Sequence, residues 1–203
     1  MIAAMLAGGS KLLCGASVRW QCDPTATKQR IYYGNHSSHL DFIMIWSALP
    51  PRLRASARPV AGRDYWERGA TRKYLAGRVF RAVLIERGQA TAASARTAIE
   101  QMAREMGDRD SLIVFPEGTR SMNGDIGPFK SGIYHLAQLR PDVELVPVYL
   151  ENLNRILPKG ESLPVPMMSR VIFGPPLTAD GRDDKAAFLA KARGALIQLK
   201  DTR

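Results

Sequence analysis

The chain is poor in cysteine and histidine, has no long apolar run and contains no repeat or low-complexity segment. Its two cysteines, Cys14 and Cys22, lie near the N-terminus. Two thiols give no disulfide framework and there is no CxxC knuckle, so a reducing, cytoplasmic setting is expected. The most apolar stretch, residues 1–20, is interrupted by Gly8, Gly9, Lys11 and Gly15. That falls short of the roughly 18 uninterrupted apolar residues a membrane-crossing helix needs. The same stretch lacks a basic leader and a convincing cleavage site, and so reads poorly as a signal peptide. A GxSxG elbow is missing, and no cysteine stands out as a nucleophile. His36 and His39 form an HxxH pair, but only His135 remains beyond them. Without a third ligand nearby no metal site is expected, and His39 reads as a helix-face residue. No nucleic-acid motif is visible.

What is present begins with size and charge. A chain of 203 residues suits one domain with a sizeable core. The formal charge is +10, and it is unevenly placed. Between Arg52 and Arg87 lie ten Arg or Lys and only three acids, Asp64, Glu67 and Glu86, with Tyr65, Trp66 and Tyr74 interleaved. Such a stretch suits an anionic partner, whether membrane phospholipid, a phosphorylated small molecule or nucleic acid; it also suits a solvated basic face. At the N-terminus Ile2, Met5, Leu6, Leu12, Leu13, Ala16 and Trp20 recur at helical spacing, with Ser10 and Lys11 off the apolar side. A helix there either lies in a membrane interface or packs on the protein's own core.

Strand and helix signals then alternate. Strands are expected over 30–34, 59–62, 80–85, 111–115, 143–150 and 170–173. Helices are expected over 38–49, 64–75, 91–106, 131–139 and 183–200. Pro147 suggests an irregular or edge position for its strand. The pattern predicts a single α/β domain with a mixed, mostly parallel sheet flanked by helices. Ligand sites in such folds lie beyond the carboxyl ends of strands.

Two segments fall at such ends. In Asn35-His36-Ser37-Ser38-His39-Leu40-Asp41, His36 sits in the loop and Asp41 in the first turn of the next helix. Imidazole can take and return a proton near neutral pH, and a carboxylate on its second nitrogen fixes the tautomer and stabilises the imidazolium. Such a pair without a protein nucleophile can activate a substrate hydroxyl for direct transfer. In Phe115-Pro116-Glu117-Gly118-Thr119-Arg120-Ser121, Pro116 stops an apolar strand and Gly118 lets backbone approach a ligand. Glu117 can accept from a polyol, and Arg120 offers a fork matching phosphate oxygens. Lys130 adds a cation just downstream.

These segments resemble the glycerolipid acyltransferase family, which includes the 1-acylglycerol-3-phosphate acyltransferases. That family's first block is Asn-His-x4-Asp and its third is Phe-Pro-Glu-Gly-Thr-Arg-Ser. Val83-Leu84-Ile85-Glu86-Arg87 looks like the second block, with Glu86 where Asp or Asn is usual, and Val146-Pro147-Val148 looks like the fourth. The blocks occur in the family's order. The resemblance implies His36 as general base and Asp41 as its orienting partner. It implies that Arg87, Glu117, Gly118, Thr119 and Arg120 bind the acceptor's glycerol phosphate, that Lys130 supports them, and that Pro147 shapes the acyl-donor side. It implies no metal or redox cofactor, with acyl-CoA or acyl carrier protein bringing the acyl group as a thioester. The expected acceptor is a lysophospholipid, foremost 1-acylglycerol 3-phosphate, giving phosphatidate; glycerol 3-phosphate or a lyso-aminolipid would serve the same chemistry. Residues 1–23 are then expected to form an amphipathic, membrane-contacting segment and residues 24–203 the acyltransferase domain. The expected place is the anionic inner face of the cell membrane, as a peripheral protein. The rival of another class is a nonenzymatic basic module binding anionic lipid or nucleic acid, and a further one is an inactive family member.

Overall fold

The computed structural model describes residues 2–86, 91–157, 163, 165, 167–177 and 183–202. Its elements run α1 (Ile2–Leu13), β1 (Ala16–Trp20), β2 (Arg30–Gly34), α2 (Asp41–Ala48), α3 (Pro51–Ser56), β3 (Ala57–Gly62), α4 (Arg63–Trp66) and α5 (Ala70–Tyr74). They continue through β4 (Val83–Ile85), α6 (Ala92–Met106), β5 (Ser111–Val114), α7 (Gly132–Leu139), β6 (Glu144–Glu151), α8 (Leu153–Ile156), β7 (Ser169–Phe173) and α9 (Lys185–Asp201). Seven strands form one sheet in the order β1-β7-β6-β2-β5-β3-β4. Every pairing is parallel except β6 with β7. The α/β fold with a mixed, mostly parallel sheet is therefore observed.

Both faces of the sheet are covered, which is why its strands read as continuous apolar runs rather than alternating ones. On one face Ile31, Tyr33, Leu112, Val114 and Leu145 pack with buried side chains of α6, α7 and α9. On the other, Tyr32, Ile113, Val146, Val148 and Phe173 pack with α1 and α2. Two helices begin on side-chain caps: Thr91 and Ser94 form a reciprocal capping box at α6, and Asp184 accepts from Ala187 N–H at α9. Of the stripe expected on α6, Ile99, Met102 and Met106 are buried while Ala92 and Ala95 face solvent.

Five expectations change. The apolar helix over residues 2–20 ends at Leu13, and Ala16–Trp20 is a strand on the sheet edge. Gly15 makes the corner at φ 46°, and a Cβ there would lie 3.3 Å from the Met168 backbone. Trp20 then stacks on Phe173 at 3.8 Å, a partner far away in sequence. Ser10, expected off the packing side of α1, faces α2 and hydrogen-bonds Ser47 at 2.7 Å. The basic helix expected over 64–75 is broken between Trp66 and Ala70 and continues as one π-helical turn, Leu75–Val79. The strand expected over 80–85 shrinks to Val83–Ile85, because Phe80 is drawn beneath α2 into edge-to-face contact with Phe42, Trp46 and Trp66. Finally, β6 is an interior strand despite Pro147. The antiparallel ladder with β7 starts at Val148, one residue past the proline, and the Pro147 carbonyl accepts from Gly174 N–H.

Helix α1 packs and protrudes at once. Ala7 is buried against the core, while Met5 is 68% and Leu12 85% exposed, with Ile2 and Leu13 also open. Among the described residues no helix is long and apolar enough to cross a membrane.

Candidate active site

β2 and β5 are parallel neighbours, so the loops after Gly34 and Val114 leave the same edge of the sheet side by side. Ser121 N–H donates to the His36 carbonyl at 2.7 Å and joins them. Asn35 fixes the first loop from beneath. Its amide donates to the Leu150 carbonyl at 2.9 Å and accepts from Leu150 N–H at 2.8 Å, pinning the end of β2 to β6. The sequence placed Asn35 in a motif without a role; its partner is 115 residues away.

The expected pair is formed. Asp41 Oδ2 lies 2.8 Å from His36 Nδ1 and also accepts Ser37 N–H at 2.6 Å and Ser38 N–H at 2.8 Å. Asp41 has no exposure to solvent. A buried carboxylate held by two backbone donors cannot swing away, so it selects the tautomer with the proton on Nδ1 and leaves Nε2 basic. The His36 ring also stacks on Phe115, with centroids 4.3 Å apart and planes 19° from parallel. Phe115 was legible as the end of a strand but not as a second restraint on the imidazole.

Glu117 requires a correction. It was expected to reach a polyol, yet it is 5% exposed and both its oxygens are engaged. Oε1 accepts His36 N–H at 2.8 Å and Oε2 accepts Gly127 N–H at 3.1 Å. Burial raises its pKa above the usual carboxylate range, opposed by those two backbone bonds. The side chain therefore straps three loop positions together and is absent from the cavity wall. Its partners are 81 and 10 residues away, too distant for the motif alone to reveal.

The residues expected to meet an anion behave differently. Gly118 takes φ 68°, and a Cβ on it would meet Lys130 Nζ at 2.9 Å, so the missing side chain is what lets Lys130 cross the loop. Arg120 is half-buried, and its Nη1 is shielded from solvent without a hydrogen-bond partner among the described residues. Thr119 is exposed and does not line the cavity. Arg87 lies outside the described residues.

These groups surround a cavity of about 640 Å³, within the range of small-molecule sites. His36, Gly118, Arg120 and Lys130 line its polar side, and Ile85, Met102, Val114, Ile133 and Leu136 line an apolar part between the sheet, α6 and α7. No serine, threonine or cysteine lines it among the described residues. Pro147 does not line it either: its ring packs beside Gly174 and Leu199 of α9. His39, expected on a helix face, precedes α2 and lines the cavity instead.

Comparison with known proteins follows this geometry. A family model described as Acyltransferase matches residues 21–151. The chain is 28% identical over 179 residues to the mouse 1-acyl-sn-glycerol-3-phosphate acyltransferase alpha, covering 85% of this chain and 59% of that protein. It is 30% identical over 168 residues to the 1-acyl-sn-glycerol-3-phosphate acyltransferase of Limnanthes douglasii, covering 82% of this chain and 56% of that one. The chain thus spans under three-fifths of the length of these relatives. A crystal structure of the 1-acyl-sn-glycerophosphate acyltransferase of Thermotoga maritima aligns with a TM-score of 0.73 at 19% identity, over 98% of this chain and 78% of that one. That likeness shows a shared fold.

Proposed function

The chain belongs to the acyltransferase family, and from that premise we propose that it moves a fatty acyl group from a thioester to the free hydroxyl of 1-acylglycerol 3-phosphate, forming phosphatidate. The observation that carries this reading is the held His36–Asp41 pair on a cavity that also offers an unpartnered arginine nitrogen and an apolar depth.

In this reading His36 Nε2 takes the proton of the acceptor hydroxyl as its oxygen attacks the thioester carbonyl. Asp41 stabilises the imidazolium that forms. The tetrahedral intermediate collapses, the carbon–sulfur bond breaks, and the imidazolium returns its proton to the departing thiolate. The absence of a serine, threonine or cysteine among the described cavity residues supports direct transfer without an acyl-enzyme. Alcoholysis of a thioester needs no Lewis acid, so no cofactor enters the scheme. Arg120 and Lys130 hold the acceptor phosphate as charge-assisted donors, and the apolar depth takes an acyl chain. Glu117 and Phe115 keep His36 in place. The donor is acyl-CoA or acyl carrier protein, both acidic and suited to the basic surface.

The protein is proposed to work as a peripheral enzyme on the inner face of the cell membrane. Two weak signals would hold it there: the exposed apolar residues of α1 and the cations around α5. The test of function is thiol release from each thioester with a panel of acceptors: lysophosphatidate, other lysophospholipids, glycerol 3-phosphate and a lyso-aminolipid. Lysophosphatidate is expected to be the best acceptor. Release driven best by glycerol 3-phosphate would reassign the substrate, and no release with any acceptor would reject the reading.

A further inference from the structure

His39 has no role in the chemistry above, yet it stands in the same cavity as His36, Arg120 and Lys130. Its half-buried ring stacks on Tyr65, with centroids 5.3 Å apart and planes 21° from parallel. The Arg72 guanidinium carbon lies 4.3 Å from the centroid of that tyrosine ring. The stack fixes the plane of the imidazole and leaves its edge unused. Among the described residues neither ring nitrogen of His39 has a hydrogen-bond partner. A polar ring edge that faces the cavity without such a partner is free to meet a ligand atom there.

The surroundings say which kind of atom. Burial holds the His39 pKa below the ordinary histidine value, Arg120, His36 and Arg72 push it the same way, and Asp41 opposes them. A neutral ring in a cationic setting keeps one N–H to donate. It makes a poor second base, because no carboxylate sits on either of its nitrogens as Asp41 sits on His36. An anionic oxygen meets both needs, accepting the N–H and relieving the neighbouring positive charge.

We infer that His39 is an anion-contacting residue of the acceptor site, donating a neutral N–H hydrogen bond to the phosphate that Arg120 binds. The inference rests on the acceptor reading given under Proposed function. It adds a specificity element, since a monoester phosphate presents more free anionic oxygens to two donors than a diester headgroup does.

The test compares His39→Phe, which keeps a ring to stack on Tyr65 but removes the N–H, with His39→Gln, which restores an N–H donor. His39→Phe is expected to raise the KM for lysophosphatidate about ten-fold or more. The donor KM should stay level, and the preference for lysophosphatidate over lysophosphatidylglycerol should narrow. His39→Gln should recover part of both effects. An unchanged acceptor KM in a folded His39→Phe protein, or a rise in donor KM alone, overturns the inference. Should that variant not fold, wild-type protein labelled with ¹⁵N-histidine is titrated with 1-hexanoylglycerol 3-phosphate. Movement of the His39 ring signals supports the contact, and signals that stay put while His36 responds refute it. Failure of this inference is separable from failure of the function: wild type that turns over lysophosphatidate with no dependence on His39 rejects only the inference, whereas wild type inactive on every acceptor rejects the function.

Discussion

At the amino ends of the strands Arg30 meets Glu144, Arg58 meets Glu105 and Asp110, Arg81 meets Asp110, and Arg140 meets Asp142. At the carboxyl ends Arg120 and Lys130 meet no acid among the described residues, although Arg63 is tied to Glu67. One end of the sheet thus spends its cations on the fold, and the other keeps them open beside a cavity. A similar division runs through the site itself. His36 is restrained by Asp41, by Glu117 through its backbone and by Phe115, whereas among the described residues the Arg120 Nη1 and the His39 ring edge have no hydrogen-bond partner. In the proposed mechanism the base is held in place before substrate arrives, and the anion side is completed by substrate. A side chain that holds the protein together should therefore register in melting temperature when removed, and one that waits for substrate should register in KM.

The sharpest break in that division is His36→Ala. Loss of the general base should lower kcat by roughly 100-fold or more while the melting temperature stays close to wild type. A folded His36→Ala protein with near-normal turnover would remove the histidine from the mechanism.

Next in size is Arg120→Ala. Losing a charge-assisted contact of about 1.5–3 kcal/mol should raise the acceptor KM by roughly 10- to 100-fold. The donor KM and the melting temperature should hardly move, since no protein partner is lost. Arg58→Ala at the opposite end should do the reverse, lowering the melting temperature and sparing the acceptor KM. Steady-state kinetics paired with calorimetry reads both. A rise in donor KM alone for Arg120→Ala would mean that Arg120 serves the other substrate.

Glu117→Gln tests the corrected role of that residue. An amide can accept one of the two N–H groups but turns a donor toward the other. A buried unsatisfied N–H costs about 1–3 kcal/mol, and each kcal/mol lowers the melting temperature by roughly 2–4 °C in a domain of this size. Loss of kcat should accompany the loss of stability, because the His36 backbone is released. An unchanged melting temperature with a raised acceptor KM would return Glu117 to the substrate.

The smallest effect is expected at α1. Met5→Asp with Leu12→Asp changes side chains that are already exposed, so stability should be nearly kept. Binding to anionic vesicles should weaken several-fold, as suits a reversible apolar contact, and high salt should loosen what remains. Vesicle flotation checks this, and binding equal to wild type would show that α1 does not touch lipid.

What was legible in the sequence was local. His36 and Asp41 are five residues apart, and the turn before α2 brings them within reach of each other. The buried strands 30–34 and 111–114 could be read because both sheet faces are covered and their runs are mostly apolar. What escaped depended on distant partners. Residues 16–20 form a strand because β7 and the Phe173 ring lie alongside, and nothing within the N-terminal twenty residues announces either. Glu117 looked like a ligand group because one of its donors comes from another loop and the other from ten residues further along its own. His39 looked idle because Tyr65 and Arg120 reach it only through the tertiary structure.

The most direct test of the mechanism is rapid-quench measurement of thiol release from an acyl thioester by wild-type protein, with and without lysophosphatidate. Direct transfer predicts no burst in the absence of acceptor and steady release once lysophosphatidate is added. A burst stoichiometric with enzyme and independent of acceptor would reveal an acyl-enzyme, and His36 would then be activating a group of the protein rather than the substrate.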